Sequence, residues 1–104
     1  MKTLTLEGNV IEFKFNPPIE ETNFTSEDFD FQRKPSYATI GITELIQADN
    51  DIVASMVVGR TFRELAETAK VQDLDYLQVV VINQEETWII DNGSTLCWMT
   101  KSEY

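Results

Sequence analysis

The stretch DIVASMVVGRTFRELAETAK, residues 51–70, decides the fold. Its first half, DIVASMVV, is dense in β-branched side chains, which pack well on a pleated surface and favour strands. Its second half carries helix signals. Thr61-Phe62-Arg63-Glu64 has the form of a capping box, in which the threonine hydroxyl takes the N3 amide and the glutamate reaches back to the cap. Phe62, Leu65, Ala66 and Ala69 then recur at helical spacing as a buried stripe, with Arg60, Arg63, Glu64, Glu67 and Lys70 outside it. The expected helix therefore runs from Thr61 to about Lys70, where a cation suits the C-terminal dipole.

Upstream of it, YATIGITELIQ (residues 37–47) is also rich in β-branched residues, and Ala48-Asp49-Asn50-Asp51 is a run of turn formers. Residues 37–59 thus read as two strands and a hairpin. The competing reading is a helix over Thr43–Ala48, since TELIQA contains good helix formers.

The first fifteen residues give the cleanest alternation in the chain. With Gly8-Asn9 as a type II′ turn, Leu6 falls opposite Ile11 and Leu4 opposite Phe13. These four and Phe15 share one face. Pro17-Pro18 ends the hairpin, since neither proline donates to a ladder. Residues 19–36 are a polar connection containing NFTSEDFDFQRKP (residues 23–35). There Phe29, Phe31 and Arg33 alternate with Asp28, Asp30, Gln32 and Lys34, as in a half-buried edge strand. A helical turn capped by Thr25 or Ser26 is the alternative. Phe24 stands outside the alternation and is the candidate exposed anchor.

Downstream, LQVVVIN (Leu77–Asn83) is a nearly continuous apolar run, expected as a central strand covered on both faces. Gln84-Glu85-Glu86 turns the chain. Thr87–Asp91 and Ser94–Thr100 form a hairpin about Asn92-Gly93, which sets Ile90 opposite Thr95, Ile89 opposite Leu96 and Trp88 opposite Cys97. One face then holds Ile89, Leu96 and Trp98, and the other Trp88, Ile90, Cys97 and Met99. The sum is a single α+β domain over residues 1–104, a mostly antiparallel sheet of about seven strands with one main helix, about 61–70, packed on it.

Charge sets the class of partner. Eighteen acids face eight bases, for a net charge of −10, and there is no histidine. No base occurs from Pro35 to Gly59 or from Val71 to Thr100. Such a chain repels phosphate backbones and anionic lipid, so neither direct nucleic-acid binding nor membrane binding is expected, and it is drawn to basic surfaces. The N-terminus lacks the apolar run of a signal peptide, and no segment reaches the ~18 apolar residues of a span. Together with the single cysteine, Cys97, these point to a cytoplasmic protein.

Catalytic signals are thin. Without histidine there is no triad and no histidine metal site. Cys97 lies between Leu96 and Trp98 with no base to activate it, and reads as a small buried hydrophobe. Gly59-Arg60-Thr61 fails the phosphate-loop pattern, with Ala54 and Arg60 where glycine and lysine are needed. Asp49-Asn50-Asp51 begins like a calcium loop but lacks its glycine and its closing glutamate. The paired carboxylates Glu20-Glu21, Asp49/Asp51, Asp73/Asp75 and Glu85-Glu86 all fall in expected turns or loops. No catalytic residue, metal ligand or cofactor is assigned.

What remains is surface. The leading expectation is a non-catalytic inhibitor or regulator that occupies a basic site on a partner protein, such as a nuclease or another nucleic-acid-binding enzyme. Carboxylates would imitate the phosphate row. The candidate contact residues are Phe24, Glu20, Glu21, Glu27, Asp28, Asp30, Asp73, Asp75, Glu85 and Glu86. In composition the chain resembles the class of anti-restriction, anti-CRISPR and toxin-immunity proteins, a likeness of charge rather than of motif. The second expectation is a structural or assembly subunit, a homodimer or phage-type particle component that uses edge strands and the Trp88/Trp98 hairpin. A small enzyme using a carboxylate pair ranks third.

Overall fold

A computed structural model of the chain describes residues 2–17 and 34–104. In chain order the elements are β1 (Lys2–Leu6), β2 (Asn9–Phe13), β3 (Ser36–Ala38), α1 (Ile40–Leu45), α2 (Asp51–Ala69), β4 (Leu77–Ile82), β5 (Glu85–Asp91) and β6 (Leu96–Thr100), and a short 3-10 turn, Lys101–Glu103, follows. The strands form one sheet in the order β1-β2-β4-β5-β6-β3. The fold is α+β, as expected. Among the described residues the strands number six rather than about seven, and the sheet is not antiparallel throughout, because β3 runs parallel to β6. A parallel pair needs a long crossover. Here both helices lie between the two strands in sequence.

The largest correction lies in residues 51–70. DIVASMVV is not a strand, and the main helix is not confined to 61–70. A single helix, α2, covers Asp51–Ala69. Two causes outweigh β-branching. Asn50 caps the start, its Oδ1 accepting the Val53 N–H at 3.0 Å. Ala54, Val57 and Val58 then extend the stripe of Phe62, Leu65 and Ala69 backward at steps of three and four, so the valines are packed against the core. Thr61 is therefore a mid-helix residue and no cap. It is fully buried, and its hydroxyl donates to the Val57 carbonyl one turn back, at 2.8 Å. Glu64 does not stay outside, but is buried in an ion pair with Lys2.

Gly59 tests this helix. It sits in the exposed interior of α2, and a Cβ added there meets nothing within 4 Å. Gly59→Ala is expected to stabilise the protein by about 0.5–1 kcal/mol, the usual cost of glycine in a helix interior. Denaturant unfolding reads this directly, and a loss of stability would contradict a continuous α2.

The two-strand hairpin expected over 37–59 is likewise replaced. Only β3 is extended, and a helix does form here, but α1 spans Ile40–Leu45 and takes in only the first half of TELIQA, so the competing helical reading is right in kind and starts three residues late. The first hairpin keeps its expected faces but not its register. Leu6 pairs with Asn9 and Leu4 with Ile11, about a Glu7-Gly8 turn whose φ angles are 50° and 82°. The shift is by two residues, which leaves the faces unchanged. Asn9 causes it. Its side chain is fully buried and donates to the carbonyls of Leu6, Glu7 and Gln47, while its Oδ1 accepts the Gln47 N–H at 2.7 Å. Asn83 joins this cluster, donating to Asn9 Oδ1 and to the Leu45 carbonyl.

The other two turns also move. Ile82 pairs with Glu85, so Asn83-Gln84 is the β4–β5 turn and Glu85-Glu86 lie within β5. In the last hairpin Ile90 pairs with Cys97 and Ile89 with Trp98. Asn92 holds a four-residue loop instead of a two-residue turn, its Oδ1 accepting the N–H groups of Ser94 and Thr95. Again the shift is by two and the faces persist.

The core lies between the helices and one face of the sheet. Ile11, Phe13, Val80, Ile82, Ile89, Leu96 and Trp98 meet Ile42 of α1 and Val57, Phe62 and Leu65 of α2. On β4 burial alternates, with Gln78, Val80 and Ile82 fully buried and Leu77, Val79 and Val81 half-buried, so this central strand is not equally covered on both faces.

Candidate functional site

The expected contact residues divide into three groups. Glu20, Glu21, Phe24, Glu27, Asp28 and Asp30, with the alternation at Phe29 and Phe31, lie outside the described residues. Asp73 and Asp75 follow α2. Asp73 is exposed. Asp75 is not a solvated loop acid as its sequence context suggests, since it is only 6% exposed. Its backbone N–H donates to the Asn16 carbonyl at 3.0 Å, and its own carbonyl accepts from Gln78 Nε2 at 2.8 Å. These bonds tie the loop under the end of β2, so Asp75 is removed from the list of surface contacts.

Glu85 and Glu86 stand at the start of β5, and the fold brings other acids towards them. A concavity of about 590 Å³ is lined by Ile40, Glu44, Glu85, Glu86, Lys101 and Glu103, among others. A second, of about 800 Å³, is lined by Glu44, Asp49 and Asp51 together with residues of β3 and α2. Glu44 borders both, so the acids form one belt around α1 and the turn after it. Sequence reading singled out Asp49/Asp51 and Glu85-Glu86 as separate pairs. It missed Glu44 and Glu103, because their convergence depends on how α1 packs against β6.

The members of this belt differ in how they are held. Glu86 lies 2.5 Å from Lys101 Nζ and 3.6 Å from Lys14 Nζ. The hydrogen bond and charge of Lys101, helped by Lys14, hold its carboxyl below the usual range. Glu103 is a structural clamp. Its carboxylate accepts from the Thr39 hydroxyl (2.6 Å), the Thr100 N–H (2.8 Å), the Thr100 hydroxyl (2.8 Å) and the Gly41 N–H (3.2 Å). Donation from Thr39, then from the Thr100 backbone, lowers its pKa to about 2. The capping box of Thr100 and Glu103 thereby also closes the start of α1, and a Cβ on Gly41 would meet the carboxylate at 2.5 Å. Glu44, Asp49, Asp51 and Glu85 have no ion pair among the described residues.

The clamp predicts a pH dependence. Glu103 has a folded pKa below its ordinary 4.5, so its contribution is complete above that value and is lost as pH falls through about 2. Protection of the Gly41 amide, measured against its intrinsic exchange rate, should fall over that window in the wild type and be reduced already at neutral pH in Glu103→Gln. A Gly41 amide whose exchange is unaltered by Glu103→Gln would contradict the clamp.

The aromatic hairpin is less exposed than its sequence implies. Trp98 is fully buried, its indole N–H donating to Thr87 Oγ1 at 2.7 Å. It therefore takes no part in any contact surface. Trp88 is half-buried, edge-to-face with Tyr104 at 5.4 Å and with Lys101 Nζ 5.9 Å from its ring centre. Cys97 is buried, as expected. Large apolar side chains are instead exposed at Ile40, which lines the smaller concavity, and at Ile52 and Met56 of α2.

Among the described residues no three histidine, cysteine, aspartate or glutamate side chains are arranged to hold a metal ion, and no helix is long and apolar enough to cross a membrane. Compared with protein-family models, curated proteins and solved structures, the chain matches none.

Proposed function

We propose that the chain is a non-catalytic module that occupies a basic site on a partner protein, a nuclease or another nucleic-acid-handling protein being the favoured class. The contact surface is the acidic belt of Glu44, Asp49, Asp51, Glu85 and Glu86. The observation that carries this reading is that four of these five, all but Glu86, have no cation partner among the described residues, although they converge around one short helix. Like charges gathered in this way repel one another, and a cationic surface relieves that repulsion. Duplex DNA presents one charge per about 1.7 Å of axis, so a protein evolved to grip it offers the matching cations. The exposed Ile40 adds apolar area beside the charge, which supplies depth of binding where charge supplies rate and selectivity. Segment 18–33, with Glu20, Glu21, Glu27, Asp28 and Asp30 against Arg33 alone, adds to the net negative charge.

The assembly reading cannot draw on Trp98, which is buried in the core, and is left with the edge strands and Trp88.

Affinity capture on the immobilised protein tests the proposal. The recovered partner should be basic, and duplex DNA should displace the protein from it. The quadruple variant Glu44→Gln/Asp49→Asn/Asp51→Asn/Glu85→Gln should bind that partner at least about tenfold more weakly, as expected for loss of several rim charges. Its melting temperature should fall only slightly, since none of the four makes an ion pair among the described residues and only Asp51 sits in the first turn of α2. A variant with unchanged affinity would overturn the assignment.

A further inference from the structure

One edge of the sheet lies beside the acidic belt. β3 ends the strand order, and no described strand pairs on its far side. In its parallel ladder the Thr39 N–H donates to the Trp98 carbonyl, and the Pro35 carbonyl accepts from the Leu96 N–H, both at 2.9 Å. Backbone groups alternate in direction along a strand. Pro35, Tyr37 and Thr39 therefore face β6, and the N–H and C=O groups of Ser36 and Ala38 face away from it. Both residues line the groove of about 800 Å³. Across it stand Ala54 and Val58 of α2, with Ile46 from the turn after α1, while Glu44, Asp49 and Asp51 add carboxylates to the lining.

A strand edge with no neighbour among the described residues, an apolar wall and acids meet here in one place. We propose that this groove takes an extended segment of the partner, added beside β3 as a further strand, in which apolar side chains alternate with lysine or arginine. Backbone bonds to Ser36 and Ala38 set its register, the apolar side chains pack towards Ala54 and Val58, and the cations meet Glu44, Asp49 and Asp51. The inference rests on the basic-partner reading above and names the chemistry of the segment that the partner offers.

Two peptides test it against the full-length, 15N-labelled protein: Lys-Val-Lys-Val-Arg-Val-Lys and its neutral counterpart Ser-Val-Ser-Val-Gln-Val-Ser, both with blocked termini. The basic peptide should shift the Ser36 and Ala38 amides, slow their exchange, and bind at least about tenfold more tightly than the neutral one. Ala38→Pro removes the outward N–H and should weaken binding about tenfold, the worth of one lost backbone bond. If that variant fails to fold, Glu44→Lys/Asp49→Lys, at exposed sites, should abolish the preference for the basic peptide. Shifts confined to the surroundings of Glu85 and Glu86 would overturn the added strand while leaving a basic partner in place. Equal binding of both peptides at Ser36 and Ala38 would keep the edge and overturn the basic segment. Binding of neither peptide would overturn the added strand, while affinity capture still reads the basic partner separately.

Discussion

Trp98→Ala is expected to destabilise the protein by about 3–5 kcal/mol, a large share of the ~5–15 kcal/mol that holds a domain together. Trp98 is the largest fully buried side chain. It joins the helix layer to the sheet. Its ring meets Phe62 of α2 edge-on, with centroids 6.3 Å apart, and its N–H donates to Thr87 Oγ1 on the neighbouring strand. Thr87 in turn donates to the Val80 carbonyl on β4 at 2.5 Å. Truncation therefore opens a cavity between helix and sheet and also removes a donor from a buried hydroxyl. Trp98→Phe keeps most of the volume and should recover more than half of the loss. Urea unfolding followed by circular dichroism measures both variants. A cost below about 1 kcal/mol for the alanine variant would be that of a surface residue, and would restore the hairpin as a candidate contact surface.

The second large effect is expected at the buried ion pair that anchors the start of β3. Lys34 Nζ lies 2.6 Å from Asp91 Oδ2, with the two side chains 17% and 1% exposed. Asp91 also accepts the Gly93 N–H at 2.9 Å. Removing one partner of a buried pair strands the other charge, at a cost of about 3–5 kcal/mol. The cost should be unequal here. Lys34→Met leaves an almost fully buried carboxylate, whereas Asp91→Leu leaves an ammonium that still reaches water. Lys34→Met is therefore the more damaging change, and the double variant should be more stable than Lys34→Met alone, since a packed apolar pair replaces a buried ionic one at little cost. Equal losses in both single variants, adding in the double, would mean that the pair is not coupled.

These predictions also show which parts of the fold are written locally. Period-two alternation fixes which face of a strand is buried, and in both terminal hairpins the faces read from sequence persist. It cannot fix register, because a shift by two preserves every face. Register was decided by asparagines whose partners are remote or lie in the loop itself. Asn9 satisfies its buried amide on Gln47, and Asn92 folds its own loop. The helix over 51–59 was legible in principle. Ala54, Val57 and Val58 continue the spacing of Phe62, Leu65 and Ala69, and Asn50 is a good cap. The density of β-branched residues masked that period, and the Thr61 box suggested a later start. Tertiary packing outweighed both propensities. The candidate surface was legible in charge and not in place. Glu85-Glu86 and Asp49/Asp51 stand out as pairs, but only the packing of α1 against β3 and β6 brings them around Glu44. Asp75 was misplaced for the converse reason, since its burial follows from a backbone bond to Asn16, far away in sequence.

The central claim is that the acidic belt around α1 binds a basic protein surface, and its most direct test is the salt dependence of that binding. With a partner in hand, Kd is measured by titration calorimetry from about 50 to 300 mM salt, a range over which the Debye length shortens appreciably. The wild type should lose at least about tenfold in affinity across this range, while the quadruple carboxylate variant starts weaker and changes little. A wild-type Kd that is insensitive to salt, or a variant with the same slope as the wild type, would contradict the account.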